Sequence, residues 1–246
     1  QNKPRILLSK TMKTWLSILS LILMTLTTAH ADIQTVQQNL KNNFPDIKVK
    51  SVNNSPVKDI YEVYMGGRIV YTNEDAKYFF VGNLIDLKEQ KNITEERERV
   101  LTSIDVKSLP LNQAIKHVKG KGERVIYLFS DPDCPYCQSL EKELKNVDNL
   151  TIYLFLYPIT KLHPNASTIA NQVWCSKDQY QVWQNYVLNK IKPLNVKSCE
   201  TPIEKNIQLA HTLAIDGTPT LFLQDGSRIS GIRSTGEIEL LLQAVK

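Results

Sequence analysis

The feature that most constrains this chain is a junction. The apolar run RVIYLFS, Arg124 to Ser130, passes almost directly into DPDCPYCQSL, which carries two of the four cysteines, Cys134 and Cys137. The run reads as a buried strand, and the segment after it reads as a helix from Cys134 to about Asn146. Cys134 falls near the N-cap, with Pro135 at the first helical position, which proline favours. Cys137 lies one turn on. Residues at i and i+3 share a helix face about 5 to 6 Å apart, within the Cα range that a disulfide tolerates. At the helix end, unpaired backbone N–H groups and the macrodipole stabilise a thiolate, the form of cysteine that attacks disulfides. The spacing therefore predicts Cys134 as an attacking thiol presented to solvent and Cys137 as a deeper, resolving one.

Two other readings of the pair stay open at this point. A zinc site would need two more ligands, but Cys175 and Cys199 form no second CxxC, and only His163 or His211 could complete it. A structural bridge from Cys134 to Cys137 would close so short a loop that it restricts the unfolded chain little. Cys175 and Cys199 are the better structural pair. They flank a helical insertion, and closing that loop stabilises by roughly 3 to 4 kcal/mol on the chain-entropy model; two buried free thiols are the alternative. Asp131 and Asp133 stand just upstream of Cys134 and would oppose its ionisation if close. Their plainer reading is polar loop chemistry before a helix.

Redox compartment bears on the choice. After Met12 and Lys13 comes an apolar run from Trp15 to about Leu26, then Ala29-His30-Ala31, the pattern of a secretory signal with a small-residue cleavage site. Residues 1–31 are expected to be that signal, with 1–11 upstream of the true start at Met12. The apolar core is short of the roughly 20 residues that a membrane span needs, so the mature protein is expected to be soluble. The chain carries 30 basic and 25 acidic side chains, net +5. Lys3, Arg5, Lys10 and Lys13 lie in the signal, which has no acids, so the mature chain is close to neutral. A neutral surface gives no reason to expect nucleic acid as a partner.

The remaining chain changes rhythm near its middle. Val36, Leu40 and Phe44 recur at helical spacing before Pro45, which predicts a helix over 33–43. IKVKSV, DIYEVYM, RIVYT and KYFFVGNLIDL then read as strands, with Gly66-Gly67 as a hairpin turn. One helix and four or five strands make a small antiparallel α+β unit over 32–92, marginal alone and in want of a partner surface. NITEERERVLTSIDV predicts a charged linker helix over 93–107, with Thr94 as N-cap. Beyond it, strand, Cys134 helix, the strand LTIYLFLYP, helical segments over 166–190 and 203–214, a hairpin around Asp225-Gly226 and a closing helix give the order of a thioredoxin-type α/β domain over 108–246.

Taken together, FSDPDCPYC, WCSKD around Cys175, Cys199 as its distant mate and GTPTLFLQDG resemble the DsbC family of periplasmic thiol:disulfide interchange proteins, over essentially the whole mature chain. The resemblance implies a cystatin-like N-terminal dimerisation domain and a homodimer whose two thioredoxin domains face a cleft for misfolded clients. It implies Cys134 as attacking thiol, Cys137 as resolving thiol, and Thr218-Pro219 as a cis-proline loop that binds substrate together with Pro135 and Tyr136. No cofactor is implied. Since the periplasm is oxidising, the resemblance also implies a DsbD-like membrane reductase as electron donor. The family usually has Gly-Tyr between its cysteines, whereas this chain has Pro135-Tyr136. Strongly oxidising relatives carry a histidine in the second position, and Tyr136 supplies no such charge, so isomerase is favoured over oxidase. A DsbG-like reductase of sulfenylated cysteines and a holdase chaperone with incidental cysteines are the competing functions.

Overall fold

The structure is a computed structural model and describes residues 28–194 and 197–245. The expected signal segment lies outside these residues except for its last part, which begins the first helix. Among the described residues no helix is long and apolar enough to cross a membrane. The chain divides into two compact units, one ending at Gly82 and one beginning at Asn83.

In the first unit, helix α1 (Thr28–Asn43) covers a three-stranded antiparallel sheet of β1 (Ser51–Asn54), β2 (Tyr61–Tyr64) and β3 (Ile69–Thr72), in that order. Val36 and Leu40 on one helix face bury against Val52, Tyr61, Val63 and Val70. The hairpin expected at Gly66-Gly67 is present: Tyr64 pairs with Ile69, and Gly66 takes a positive φ of 83° that favours glycine. The expected strand over KYFFVGNLIDL is not continuous. Phe80 alone bridges Tyr71, and only Ile85–Asp86 (β4) pairs again, with Lys91–Asn92 (β5). The intervening Gly82-Asn83 interrupts the run, and Tyr78, Phe80, Val81 and Leu87 remain exposed, so the apolar composition there does not mark a buried strand.

Helix α2 (Ile93–Leu101) is capped by Asn92, whose side chain accepts from the Glu95 N–H at 3.1 Å. The expected cap, Thr94, is instead buried, and its hydroxyl accepts from the Leu84 N–H. The division of the chain falls at Gly82/Asn83, ahead of this helix and not at it, and α2 packs within the second unit. Glu95 pairs with Arg233 at 2.8 Å, and the Ile104 N–H donates to the Gly226 carbonyl. A Cβ at Gly226 would stand 1.9 Å from the Ile104 carbonyl oxygen, so this turn requires glycine.

The second unit is built on a five-stranded sheet: β6 (Ile115–Lys119), β7 (Arg124–Ser130), β8 (Leu150–Leu156), β9 (Thr220–Leu223) and β10 (Arg228–Ser230), ordered β10-β9-β7-β8-β6. β7 and β8 run parallel, and the other three pairs are antiparallel. The helices are α3 (Pro135–Leu144), α4 (Ala166–Trp174), α5 (Gln179–Asn189), α6 (Ile203–Thr212) and α7 (Thr235–Ala244). β7 is continuous in its apolar character because both its faces are covered. Ile126 and Leu128 join Leu140 and Leu144 of α3 in one core, while Tyr127 and Phe129 join Phe155 and Phe222 in the other. The edge strand β6 was not anticipated. Its lysines and histidine mask a pattern in which only Ile115 is fully buried.

Candidate active site

The site forms at the carboxyl ends of the two parallel strands, where chain crossovers leave room for it. β7 ends at Ser130 and releases the chain into Asp131-Pro132-Asp133 and α3. Phe129 at that end pairs with Thr220, the first residue of β9, so the residues just ahead of β9 are brought against the head of α3. Those residues are Thr218 and Pro219, joined by a cis peptide bond.

Cys134 is the N-cap residue of α3, with Pro135 opening the helix. Its Sγ lies 3.4 Å from the Thr218 carbonyl oxygen, to which the protonated thiol donates. The expectation that exposure separates the two cysteines fails, since Cys134 is 4% and Cys137 2% exposed. What separates them is how strongly burial acts on each sulfur, together with hydrogen bonding and charge. The Cys134 thiol is pulled down to about 5, first by a hydrogen bond with Cys137, against the opposing effect of burial, and further by the Thr218 side chain and the N–H groups of Cys137 and Tyr136. Cys137 is pushed well above the usual thiol range, first by burial and then by its hydrogen bond to, and repulsion from, the Cys134 sulfur. Its Sγ accepts from the Asp131 N–H at 3.4 Å. At neutral pH one sulfur is therefore charged and the other holds its proton. Tyr136 between them is 62% exposed, at the mouth of the site.

Asp131 is not ordinary loop chemistry. It is fully buried, and its carboxylate accepts from the N–H groups of Asp133 (2.8 Å) and Ile159 (2.6 Å) and lies 3.0 Å from Nδ1 of His163. It thus ties the turn before Cys134 to the loop after β8. His163 is committed to that contact, and among the described residues no three or more His, Cys, Asp or Glu side chains form a group that could hold a metal ion. Asp133 accepts from the Tyr186 hydroxyl at 2.5 Å. Sequence reasoning missed Tyr186, Glu141 and Ser130. The only signal for them was a polar residue inside an otherwise apolar pattern, and partners so distant in sequence leave no spacing to read.

Cys175 and Cys199 form a disulfide with an S–S length of 2.02 Å, whereas Cys134 and Cys137 are free. Alkylation of the folded protein after mild reduction should label Cys134 first and Cys137 more slowly, and leave Cys175 and Cys199 unlabelled, as read by mass spectrometry. Labelling of all four would contradict this assignment.

A thiolate and a thiol one helical turn apart have one shared chemistry, exchange with disulfides, and the sheet that carries them is thioredoxin-like; the protein is a thiol:disulfide oxidoreductase. Residues 111–246 match the family model of a thioredoxin-like domain, and residues 27–95 match the model of the disulfide bond isomerase N-terminal domain. The probable thiol:disulfide interchange protein DsbC of Bordetella parapertussis is 35% identical over 207 residues, 84% of this chain and 73% of that protein. The DsbC protein of Escherichia coli K12 is 23% identical over 217 residues, 87% of this chain and 89% of its own. The crystal structure of a disulfide interchange protein from Neisseria gonorrhoeae covers 55% of this chain and 97% of its own, with 33% identity and a TM-score of 0.54. The chain belongs to the DsbC family of thiol:disulfide interchange proteins.

Proposed function

We propose that the protein isomerises wrong disulfides in secreted proteins, with Cys134 as nucleophile and Cys137 as resolving thiol. The observation that carries this is the placement of two free cysteines one turn apart at the head of α3, with Cys134 against the cis Thr218-Pro219 loop, in surroundings that pull the Cys134 thiol down and push Cys137 up. The Cys134 thiolate attacks one sulfur of a client disulfide, forming a Cys134–client bond as the client S–S bond breaks and a client thiolate leaves. That thiolate can then attack another client disulfide, and a client sulfur finally displaces Cys134, so no electrons are consumed. When this rearrangement stalls, Cys137 loses its proton and attacks the Cys134 sulfur. The client leaves reduced, and a Cys134–Cys137 disulfide remains, which a reductant must reopen. A DsbD-like membrane reductase is the donor this scheme needs in an oxidising periplasm. Thr218 and Pro219, with Pro135 and Tyr136, form the wall on which the client backbone rests.

The assay that tests the reading is refolding of scrambled ribonuclease run beside reduction of a sulfenylated protein by the same preparation. Faster recovery of ribonuclease activity supports the isomerase. Turnover of the sulfenylated substrate alone would replace it with a sulfenic-acid reductase.

The dimer is assigned to the first unit, which ends at Gly82 within the 32–92 segment expected for it, while the segment expected as linker, 93–107, packs in the second unit with the catalytic domain over 108–246. The small first unit, with one helix on three short strands and a row of exposed apolar side chains at Tyr78, Phe80 and Val81, is of a size that gains stability from a second copy. Light scattering of the mature protein at micromolar concentration should give twice the chain mass, and a monomer would refute the assignment.

A further inference from the structure

The reactive thiolate has an acid as its immediate neighbour. A carboxylate facing a thiolate disfavours its ionisation, and Asp133 directly precedes Cys134, yet its carboxylate is engaged elsewhere. The structure shows where it goes. Asp133 Oδ1 accepts from the hydroxyl of Tyr186, a buried residue on α5. The hydroxyl is a committed donor, its own ionisation pushed up to about 12 by burial and then by the bond to Asp133.

Tyr186 is not free to drift. α5 is fixed to the active-site helix by Glu141, buried one turn beyond Cys137, whose carboxylate accepts from the Tyr180 hydroxyl (2.7 Å), Trp183 Nε1 (3.2 Å) and Gln184 Nε2 (3.0 Å). Trp183 and Tyr186 are three residues apart and share a helix face, so the anchored turn delivers the next donor to Asp133. The other charged groups that bear on the site are Asp131, Lys190 and Asp216. Asp131 is bound to Asp133 N–H, Ile159 N–H and His163. The Lys190 ammonium lies 5.2 Å from the centre of the Tyr186 ring, and Asp216, near the cis-proline loop, bears on Tyr157. Cys137 keeps its proton.

We propose that Tyr186 is a positioning residue for the exchange reaction: its hydroxyl holds the Asp133 carboxylate away from the Cys134 sulfur and so keeps that sulfur ionised. The proposal rests on the reading of Cys134 as the attacking thiolate. It gives the helical insertion a part in the chemistry, because the insertion carries a group that turns the neighbouring acid aside.

The test is titration of the reduced protein by thiolate absorbance at 240 nm. In Tyr186→Phe the Cys134 midpoint should rise by about one unit, so that below both midpoints the thiolate fraction falls about tenfold. Adding Asp133→Asn to Tyr186→Phe should return the midpoint to that of the unmodified protein. Asp133→Glu keeps Tyr186 and its packing but carries the carboxylate one methylene away, and it should raise the midpoint even if Tyr186→Phe folds poorly. A Tyr186→Phe midpoint that does not move, a rise that Asp133→Asn does not reverse, or an unmoved Asp133→Glu would overturn the proposal while leaving the attacking role of Cys134 intact. An ordinary thiol midpoint in the unmodified protein would overturn both.

Discussion

Cys134→Ser is expected to reduce isomerisation of scrambled ribonuclease to the uncatalysed background, whereas Cys137→Ser keeps the attack and accumulates mixed disulfides with clients. The reason is the state of each sulfur and not its surface exposure, which is small for both in the resting protein. Only Cys134 is charged at neutral pH, and only the thiolate attacks. Cys137 is held protonated by burial together with two effects of Cys134 itself, a hydrogen bond and charge repulsion. Once Cys134 is bound to a client its charge is gone, and both of those effects disappear. What remains is burial, opposed by hydrogen bonds from Ser130 and the Asp131 N–H. Cys137 therefore becomes easier to ionise when there is a mixed disulfide to resolve. Non-reducing gels should show client adducts for Cys137→Ser and none for Cys134→Ser. The opposite pattern would reverse the two roles.

How far these roles were legible in the sequence depends on distance along the chain. The order of strand, cysteine pair and helix is local, and Pro135 and the i, i+3 spacing placed the two sulfurs before any fold was known. Helix α1 was legible through Val36 and Leu40, because a single buried stripe repeats within a few residues. The strand expected over KYFFVGNLIDL failed because apolar residues there are exposed, a tertiary outcome that composition does not report. Thr94 failed as a cap because the helix already begins at Ile93, which puts Asn92 at the cap position, and the Thr94 hydroxyl accepts from the Leu84 N–H. The electrostatics of the site were least legible. Whether Asp131 and Asp133 harm the thiolate depends on Ile159, His163 and Tyr186, which come together only through the sheet and the insertion.

Alkylation of Cys134 in the reduced protein is expected to be nearly independent of pH above about 6 and to fall about tenfold per unit below about 5. A lowered midpoint means that the thiolate persists to lower pH, so reactivity is lost only as pH falls through about 5. The gain over an ordinary thiol is not largest at neutral pH. There an ordinary cysteine is already a few per cent ionised, and each thiolate of low midpoint is a weaker nucleophile, with a Brønsted slope of about 0.4 to 0.5, so the two effects nearly cancel. Near pH 5 the ordinary thiol is ionised by less than about one part in a thousand, and the advantage of Cys134 grows to tens of fold. Iodoacetamide labelling between about pH 4 and 8, with Cys134 followed by peptide mass spectrometry, checks this directly; a rate that keeps rising tenfold per unit through pH 7 would show an ordinary thiol. The same low midpoint makes Cys134 a good leaving group from a mixed disulfide, whether a client thiolate or Cys137 displaces it. Ease of departure matters more to an isomerase than speed of attack, because a catalyst that must let go of every client is limited by its slowest release.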